Sequence, residues 1–148
     1  MSKFYSHMNS GFSSGISVSF ETNYHADVSS YIDQASASGF VSRLIFIGLK
    51  DVELAKARVT QRVESGGHFV NDKTIKERYF NGLKNLDTSF FRYDRFSIIE
   101  SFSDYKSKLC ISSDDVGVKL FQWPTFVDQI PVVKKFVQEQ IDSSSSKN

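Results

Sequence analysis

The sequence predicts an α/β domain in which a parallel β-sheet carries flanking helices. Apolar and polar residues alternate over residues 16–20, as is typical of a strand. Apolar residues then recur at spacings of three and four over residues 24–38, which indicates a helix that ends at Gly39. The continuous apolar run Ser42–Leu49 is typical of a strand buried on both faces of a parallel sheet. Strand, helix and strand in this order predict a βαβ unit.

The composition of the 148-residue chain is that of one globular domain. Its formal net charge of +1 gives no argument for binding nucleic acid or a membrane surface, and we expect neither partner. The single cysteine, Cys110, excludes an internal disulfide bond and fits a reducing compartment. No apolar run reaches the roughly 20 residues that span a bilayer, and the first residues lack the apolar core of a signal peptide. The expected location is the cytoplasm.

The chain divides into three parts by composition. Residues 1–15 are rich in Ser, Gly and Asn, and we expect an irregular lead-in. The glycines at positions 11 and 15 are not followed by GK[ST], so this stretch is not a phosphate-binding P-loop. Residues 16–141 carry the periodic patterns of the domain, and residues 142–148 are expected to be a disordered tail.

The stretch Ala55–Leu86 indicates two amphipathic helices separated by Gly66 and Gly67. The glycines end the first helix, and Asn71 or Asp72 caps the second. Arginines flank the apolar stripes of both helices. Two arginines one turn apart are usually part of a solvated surface, but arginine also binds phosphate oxygens in pairs. The arginines are Arg58, Arg62 and Arg78, and the stripes are Val52, Ala55, Val59 and Val63, then Ile75, Tyr79, Leu83 and Leu86.

The C-terminal half predicts three strands and a final helix, which starts at Pro124 and is kinked or broken at Pro131. Six aromatic residues lie between positions 88 and 105. They favour a strand core over stacking platforms for single-stranded nucleic acid. The basic residues beside them, Arg92 and Arg95, are too few to follow a phosphate backbone. The predicted strands are Arg95–Ser101, Lys108–Ile111 and Val116–Phe121.

Three motifs together resemble the zeta-toxin-like kinases, in particular the bacterial branch often labelled predicted ABC-type ATPase. They are SFET, ending at Thr22; LIFIGL, ending at Leu49; and ARVTQRVESGGHFVNDKTIKERYFNGLKNL, ending at Leu86. The resemblance spans about Val18 to Leu86. Beyond it, Glu100-Ser101 loosely matches an acidic residue that the family often follows with Asn-Ser.

The resemblance implies a three-layer, P-loop-kinase-like parallel sheet with flanking helices. It also implies transfer of the γ-phosphoryl group of ATP, with Mg²⁺, to a hydroxyl of a nucleotide-sugar-like substrate. Residues 52–86 would be the helical lid over the phosphates, where arginines stabilise developing charge. In these terms Glu21 and Thr22 bind the substrate and His68 lies near the nucleotide cofactor. The catalytic phosphate contacts would be Arg58, Arg62 and Arg78.

Two parts of the family pattern are missing from the sequence. There is no GxxxxGK[ST] loop before SFET, and no catalytic aspartate follows such a loop. We therefore expect a sheet without the first strand, with an unpaired edge, exposed apolar surface and no catalysis by the chain alone. Three explanations stay open: a truncated reading frame, complementation by another chain or a second copy, and a non-catalytic binding protein that keeps an anion-binding arginine lid. A nucleotide ligand and an antitoxin partner are further expectations from the resemblance.

Overall fold

The computed structural model describes residues 3–24, 28–103 and 106–145. Five helices and four strands lie in these ranges, with 3-10 turns at Phe90–Arg92 and Val127–Gln129. None of the described helices is both long enough and apolar enough to cross a membrane. The elements are α1 (Lys3–Ser13), α2 (Ser29–Ala37), β1 (Arg43–Leu49), α3 (Val52–Glu64), α4 (Asp72–Ser89), β2 (Arg95–Ser103), β3 (Lys106–Asp114), β4 (Gly117–Leu120) and α5 (Pro131–Ser145).

The four strands form one mixed sheet in the order β1-β2-β3-β4. Only β1 and β2 are parallel, with Leu44 opposite Phe96. The pairs β2–β3 and β3–β4 are antiparallel. The expectation of a parallel sheet is therefore corrected to an α/β fold with a mixed sheet. The reason is connection length, because a parallel crossover needs about a dozen residues and these strands follow one another almost directly.

Strand β1 differs from its prediction, because only one of its faces is buried. Leu44 is 8% exposed, whereas its neighbours on the opposite face, Ile45 and Ile47, are 59% and 61% exposed. The strand also lies at the end of the sheet, and no other strand in the described ranges pairs with its outer edge. The continuous apolar run of β1 therefore occurs in an edge strand with one exposed face, and not in a strand that is buried on both faces.

The hydrophobic core lies on one face of the sheet, which makes two packed layers instead of the three expected. The strands present alternate residues to this face, and α2, α4 and α5 cover them. Gly48 leaves room for Phe126, because a Cβ atom on Gly48 would lie 2.4 Å from the Phe126 ring. The cluster includes Leu44, Phe96, Ile98 and Ile111 from the strands, and Ile32, Leu83, Leu86, Val133 and Val137 from the helices.

Residues 16–20 do not form the strand that their alternation predicts. Residues 16–23 have no regular secondary structure, and Ile16 is 63% exposed. The expected βαβ unit over residues 16–49 is therefore absent from the structure. The parallel pair is instead β1 with β2, and α3 and α4 form the crossover between them. The alternation of apolar and polar residues shows which side chains would share a face, but a strand also needs a neighbouring strand that binds its backbone groups.

The helix ends in the centre of the chain confirm the sequence prediction. The side chain of Asn71 accepts a hydrogen bond from the Thr74 N–H at 2.8 Å and caps α4. The final helix differs from its prediction, because it begins at Pro131 and not at Pro124, and only a 3-10 turn at Val127–Gln129 precedes it. The two ends of the chain differ from expectation. Residues 3–13 form α1 instead of an irregular lead-in, and α5 continues through residue 145, inside the expected tail. Residues 146–148 lie outside the described ranges.

A buried carboxylate joins α4 to α5. Asp87, on α4, accepts hydrogen bonds from the backbone N–H groups of Val132 and Val133 at 2.8 and 2.9 Å. These groups belong to the first turn of α5, where no carbonyl inside the helix can bind them. The negative charge also lies at the positive end of the helix dipole. Asp87 therefore acts as a helix cap supplied by a different helix.

We expect Asp87→Ala to lower the free energy of unfolding by about 1–3 kcal/mol, because it leaves two N–H groups of the first turn of α5 without an acceptor, and that of Val133 is buried. Urea denaturation at neutral pH measures this. Asp128→Ala is the matched control. Asp128 pairs with Lys134 on the surface and is expected to change stability by less than about 0.5 kcal/mol. Equal effects of the two substitutions would contradict the capping role.

Candidate functional site

A groove of about 1040 Å³ follows the open side of β1. Its lining comes from the N-terminal residues 17–24, from β1 itself and from the facing sides of α3 and α4. Both helices belong to the β1–β2 crossover, so the chain path brings their side chains to the end of the parallel pair. Ligands in open α/β sheets bind beyond the carboxyl ends of parallel strands, and the part of the groove lined by Leu49, Arg58 and Tyr79 lies at such an end.

The groove brings together five of the six residues that the sequence singled out. His68 is the exception, because it lies exposed in the connection between α3 and α4 and does not line the groove. The structure shows only that these residues line a common groove. Their catalytic and substrate-binding roles remain predictions. The five residues are Glu21, Thr22, Arg58, Arg62 and Arg78.

The groove also concentrates positive charge. Four of the chain's six arginines line it, although the formal net charge of the chain is only +1. The fourth is Arg43, which sequence reasoning missed because it opens an apolar strand. Among the described lining residues Glu21 is the one carboxylate. The two arginines outside the groove, Arg92 and Arg95, form ion pairs with Asp33 and Asp115.

Arg58 is partly engaged by the protein itself. Its guanidinium donates hydrogen bonds to the Ser101 hydroxyl at 2.7 Å and to the Ser103 carbonyl at 3.1 Å. Ser101 is 5% exposed, so this contact is shielded from solvent on one side. Arg58 thereby holds α3 against the carboxyl end of β2, and this structural role was not evident from sequence.

Arg62 and Arg78 are exposed, and neither has a hydrogen-bond or ion-pair partner among residues 3–24, 28–103 and 106–145. Their guanidinium groups can therefore bind a ligand without first breaking a protein contact. An exposed arginine without a partner is common on protein surfaces. Two of them on neighbouring helices beside one groove are a more specific arrangement.

The glycine pair after α3 forms a hydrogen-bonded helix stop. Gly66 has a φ of +90° and its N–H binds the Val63 carbonyl at 2.9 Å, while the Gly67 N–H binds the Arg62 carbonyl at 2.8 Å. This is the Schellman arrangement. A Cβ atom on Gly67 would also lie 2.7 Å from Cγ of Arg62, so the turn packs against the stem of that arginine. The glycine turn therefore fixes the position of the Arg62 side-chain stem at the end of α3.

The end of the N-terminal segment is held by Tyr24, which sequence reasoning did not identify. Its hydroxyl lies 2.7 Å from the Ser89 hydroxyl and 3.1 Å from that of Tyr93. Its carbonyl accepts a hydrogen bond from Asn85 at 2.9 Å. Its φ of +55° is unusual for a residue with a side chain. Glu21 and Thr22 precede this anchor and are exposed.

Glu100, at the carboxyl end of β2, is a buried carboxylate with an internal partner. It is 4% exposed, accepts a hydrogen bond from the Thr125 backbone N–H at 2.7 Å and also contacts the Thr125 hydroxyl. This contact fixes the segment that delivers Phe126 to the core. Glu100 therefore has a structural partner at the position where the resemblance has an acidic residue.

Tyr79 places a phenol beside the end of β1. Its hydroxyl donates to the Leu49 carbonyl at 3.3 Å. Burial raises the pKa of Tyr79 above its ordinary value of 10.0, and a hydrogen bond with Gln129 acts in the opposite direction. The phenol therefore stays neutral at physiological pH and serves as a hydrogen-bonding group.

The donor set of the groove fits phosphate better than a metal ion. Guanidinium groups supply hydrogen bonds and positive charge for phosphate oxygens. Within the described residues no group of three or more His, Cys, Asp or Glu is arranged to hold a metal ion. An Mg²⁺ ion accompanying a nucleotide would take its oxygens mainly from the nucleotide and from water.

Comparisons with known proteins do not show a family. No protein-family model matches this chain, and no solved structure matches it. An uncharacterized protein of Haemophilus influenzae is 44% identical over 45 residues. This alignment covers 30% of the present chain and 32% of that protein, so the chain spans only about a third of its relative. The resemblance to zeta-toxin-like kinases thus remains a prediction from the motifs.

The two classes of arginine should respond differently to substitution. Arg58→Ala removes two hydrogen bonds at a partly buried position, and we expect it to lower the free energy of unfolding by about 1–3 kcal/mol. Arg62→Ala removes no such contact and should change it by less than about 0.5 kcal/mol. Urea denaturation of both variants measures the difference. Equal losses would show that Arg62 has a structural partner as well.

The raised pKa of Tyr79 gives a pH-dependent contribution to stability. The folded phenol keeps its proton at a pH where the unfolded phenol has lost it, so stability is full below pH 10 and is lost as the pH rises further. We expect stability to fall more steeply above about pH 10 in the unsubstituted protein than in Tyr79→Phe. Guanidinium denaturation at each pH measures this. Parallel pH profiles of the two proteins would contradict the assignment.

Proposed function

We propose that this chain binds a phosphate-bearing small molecule in the groove beside β1. The observation that carries the proposal is that Arg58, Arg62 and Arg78, from the two crossover helices, line one groove in which Glu21 is the single carboxylate among the described lining residues. A cluster of like charges is unfavourable in the empty protein and becomes favourable when an anion occupies it. Arginine side chains on separate elements also suit the several oxygens of a di- or triphosphate.

The motifs extend this proposal to a substrate class. Their resemblance to zeta-toxin-like kinases supports ATP and a nucleotide-sugar-like hydroxyl compound as ligands. Arg62 and Arg78 would contact phosphate oxygens, and Glu21 would accept a hydrogen bond from a substrate hydroxyl. Phosphoryl transfer depends on positioning and on charge stabilisation, which arginines from a closing segment provide.

Transfer itself needs groups that this sequence does not contain. The GxxxxGK[ST] loop and the aspartate that takes the acceptor proton are both missing. We therefore propose that the chain contributes the arginine-bearing part of a kinase site and that a complementing polypeptide supplies the remainder.

A non-catalytic anion-binding protein is the second candidate function. It is favoured by the internal contacts of the polar groups nearest the strand ends, since Arg58 binds Ser101 and Glu100 contacts Thr125. Side chains held in this way serve the fold first. The two candidates share the ligand chemistry and differ in whether phosphate is transferred once a complementing polypeptide is present.

Isothermal titration calorimetry with ATP and with a nucleoside-diphosphate sugar tests ligand binding. We expect Arg62→Ala and Arg78→Ala each to weaken binding by about ten- to a hundredfold, as expected for loss of one charge-assisted hydrogen bond. Arg92→Ala is the matched control, because it removes an arginine outside the groove that pairs only with exposed Asp33. Its affinity should equal that of the unsubstituted protein.

Two results would contradict the proposal. One is the absence of heat with either ligand at millimolar concentration. The other is equal weakening by all three substitutions, which would indicate a general charge effect instead of a site. Raising the salt concentration separates these cases further, because nonspecific attraction between exposed charges is strongly screened.

A further inference from the structure

The outer edge of β1 carries backbone groups that no strand binds in the described structure. In a parallel pair the N–H and C=O of one residue point toward the same neighbouring strand. The Lys50 N–H binds the Ser101 carbonyl at 3.0 Å, and the Ser42 carbonyl accepts from Arg95 at 3.1 Å. Even-numbered positions of β1 therefore face β2. The N–H groups of Ile45 and Ile47 point the other way, toward the groove that these residues line.

Residues 16–23, here called the strap, line the same groove and have the sequence of a strand. Ile16, Val18 and Phe20 alternate with two serines, yet no β-ladder joins the strap to β1. Ile16 and Phe20 are 63% and 40% exposed, so apolar surface of the strap remains to be buried. A free strand edge and a segment of strand-like sequence that belongs to no β-ladder thus line one groove.

The connection between them permits parallel pairing. From the strap the chain passes through α2 and returns into β1, which is the order of a βαβ unit. Helix α2 has nine residues and is about 13 Å long, and four residues of a strand also span about 13 Å. Ile32 and Ala35 already bury α2 against the body of the protein, so it need not move.

The strap is fixed at both ends. At the first end the Ile16 N–H binds the Gly11 carbonyl of α1 at 3.0 Å. At the other end Tyr24 is held by its hydroxyl and its carbonyl, with a φ of +55°. Positive φ at a residue with a side chain stores conformational strain, which a rearrangement of the preceding residues can relieve. Between the anchors Val18 packs against Gly11 of α1 and the Phe20 ring contacts that of Tyr31, so a second conformation exchanges these contacts for pairing with β1.

We propose that residues 17–20 add to the free edge of β1 as a fifth, parallel strand and so close the groove. Val18 and Phe20 would then face the core side with Leu44 and Phe46. In β1 and β2, each residue that faces the core points its N–H group toward the next strand in the sheet order. By the same rule, the N–H groups of Val18 and Phe20 would donate hydrogen bonds to β1. The serines face the open side, beside Ile45 or Ile47, and their N–H groups point outward.

Disulfide trapping tests this arrangement in the 148-residue chain without any ligand. In a Cys110→Ala background, Ser19→Cys is combined with Ile45→Cys or with Ile47→Cys, and oxidation is followed over time. Paired parallel strands place same-face neighbours within disulfide reach. Val18→Cys with the same partners is the matched control, because its side chain points to the opposite face. We expect at least one Ser19 pair to cross-link more than about tenfold faster than the matching Val18 pair.

Proline substitutions provide a second readout in the same trapped pair. Val18→Pro removes an N–H that donates to β1 and should slow cross-linking more than about tenfold, whereas Val18→Ala keeps that N–H and should not. Ser17→Pro removes an outward N–H and should also be tolerated. Circular dichroism and urea denaturation confirm that each variant folds. Equal rates for the Ser19 and Val18 pairs, or equal effects of the two prolines, would overturn the proposal.

Discussion

The parallel pairing of β1 with β2 is the constraint on which the rest of the structure depends. At its amino end Asp94 accepts hydrogen bonds from the N–H and the hydroxyl of Ser42 at 2.7 and 2.8 Å. The backbone donor of Ser42, followed by its hydroxyl, lowers the pKa of Asp94, so this contact favours the ionised carboxylate. A parallel pair also requires a long crossover. Helices α3 and α4 are that crossover, so their arginines reach the same end of the sheet.

The one-sided core explains why the groove is open. Helices and the loop carrying Phe126 fill only the face of the sheet where Leu44 and Gly48 lie. The opposite face and the outer edge of β1 have no packed layer in the described residues. Burial of Ile45 and Ile47 by added structure would contribute about 25 cal/mol for each Å² of apolar surface removed from water. The open side is therefore the part of the fold with the most stabilisation still available.

Local signals predicted the centre of the chain correctly, because the physics that sets a helix end lies within a few residues. Asn71 caps α4 through a bond to a residue three positions away, and Gly66 ends α3 through its own backbone angle. The partners of β1 could not be found in this way. Whether an apolar strand has one buried face or two depends on segments far along the chain, and the alternation of residues 16–20 cannot supply a neighbouring edge.

The candidate site shows the same difference between residues predicted from local sequence and residues whose partners are distant in the chain. Glycine and arginine spacing indicated Arg62 and Arg78 because both lie on helices whose stripes fix which side is buried. The engagement of Arg58 by Ser101 was invisible, since those residues are 43 positions apart. Arg43 and Tyr24 were also missed, one within an apolar run and the other just after a weak strand pattern.

The arginines of the groove differ from the other arginines in whether they form ion pairs. Arg92 and Arg95 have carboxylate partners, whereas Arg43, Arg62 and Arg78 have none among the described residues, and all three line the groove. A chain with 17 acidic residues could supply partners for every arginine. Because these arginines bind no carboxylate of the described chain, their N–H donors stay available to an anion. The distribution of ion pairs therefore supports a binding site more directly than the presence of arginines alone.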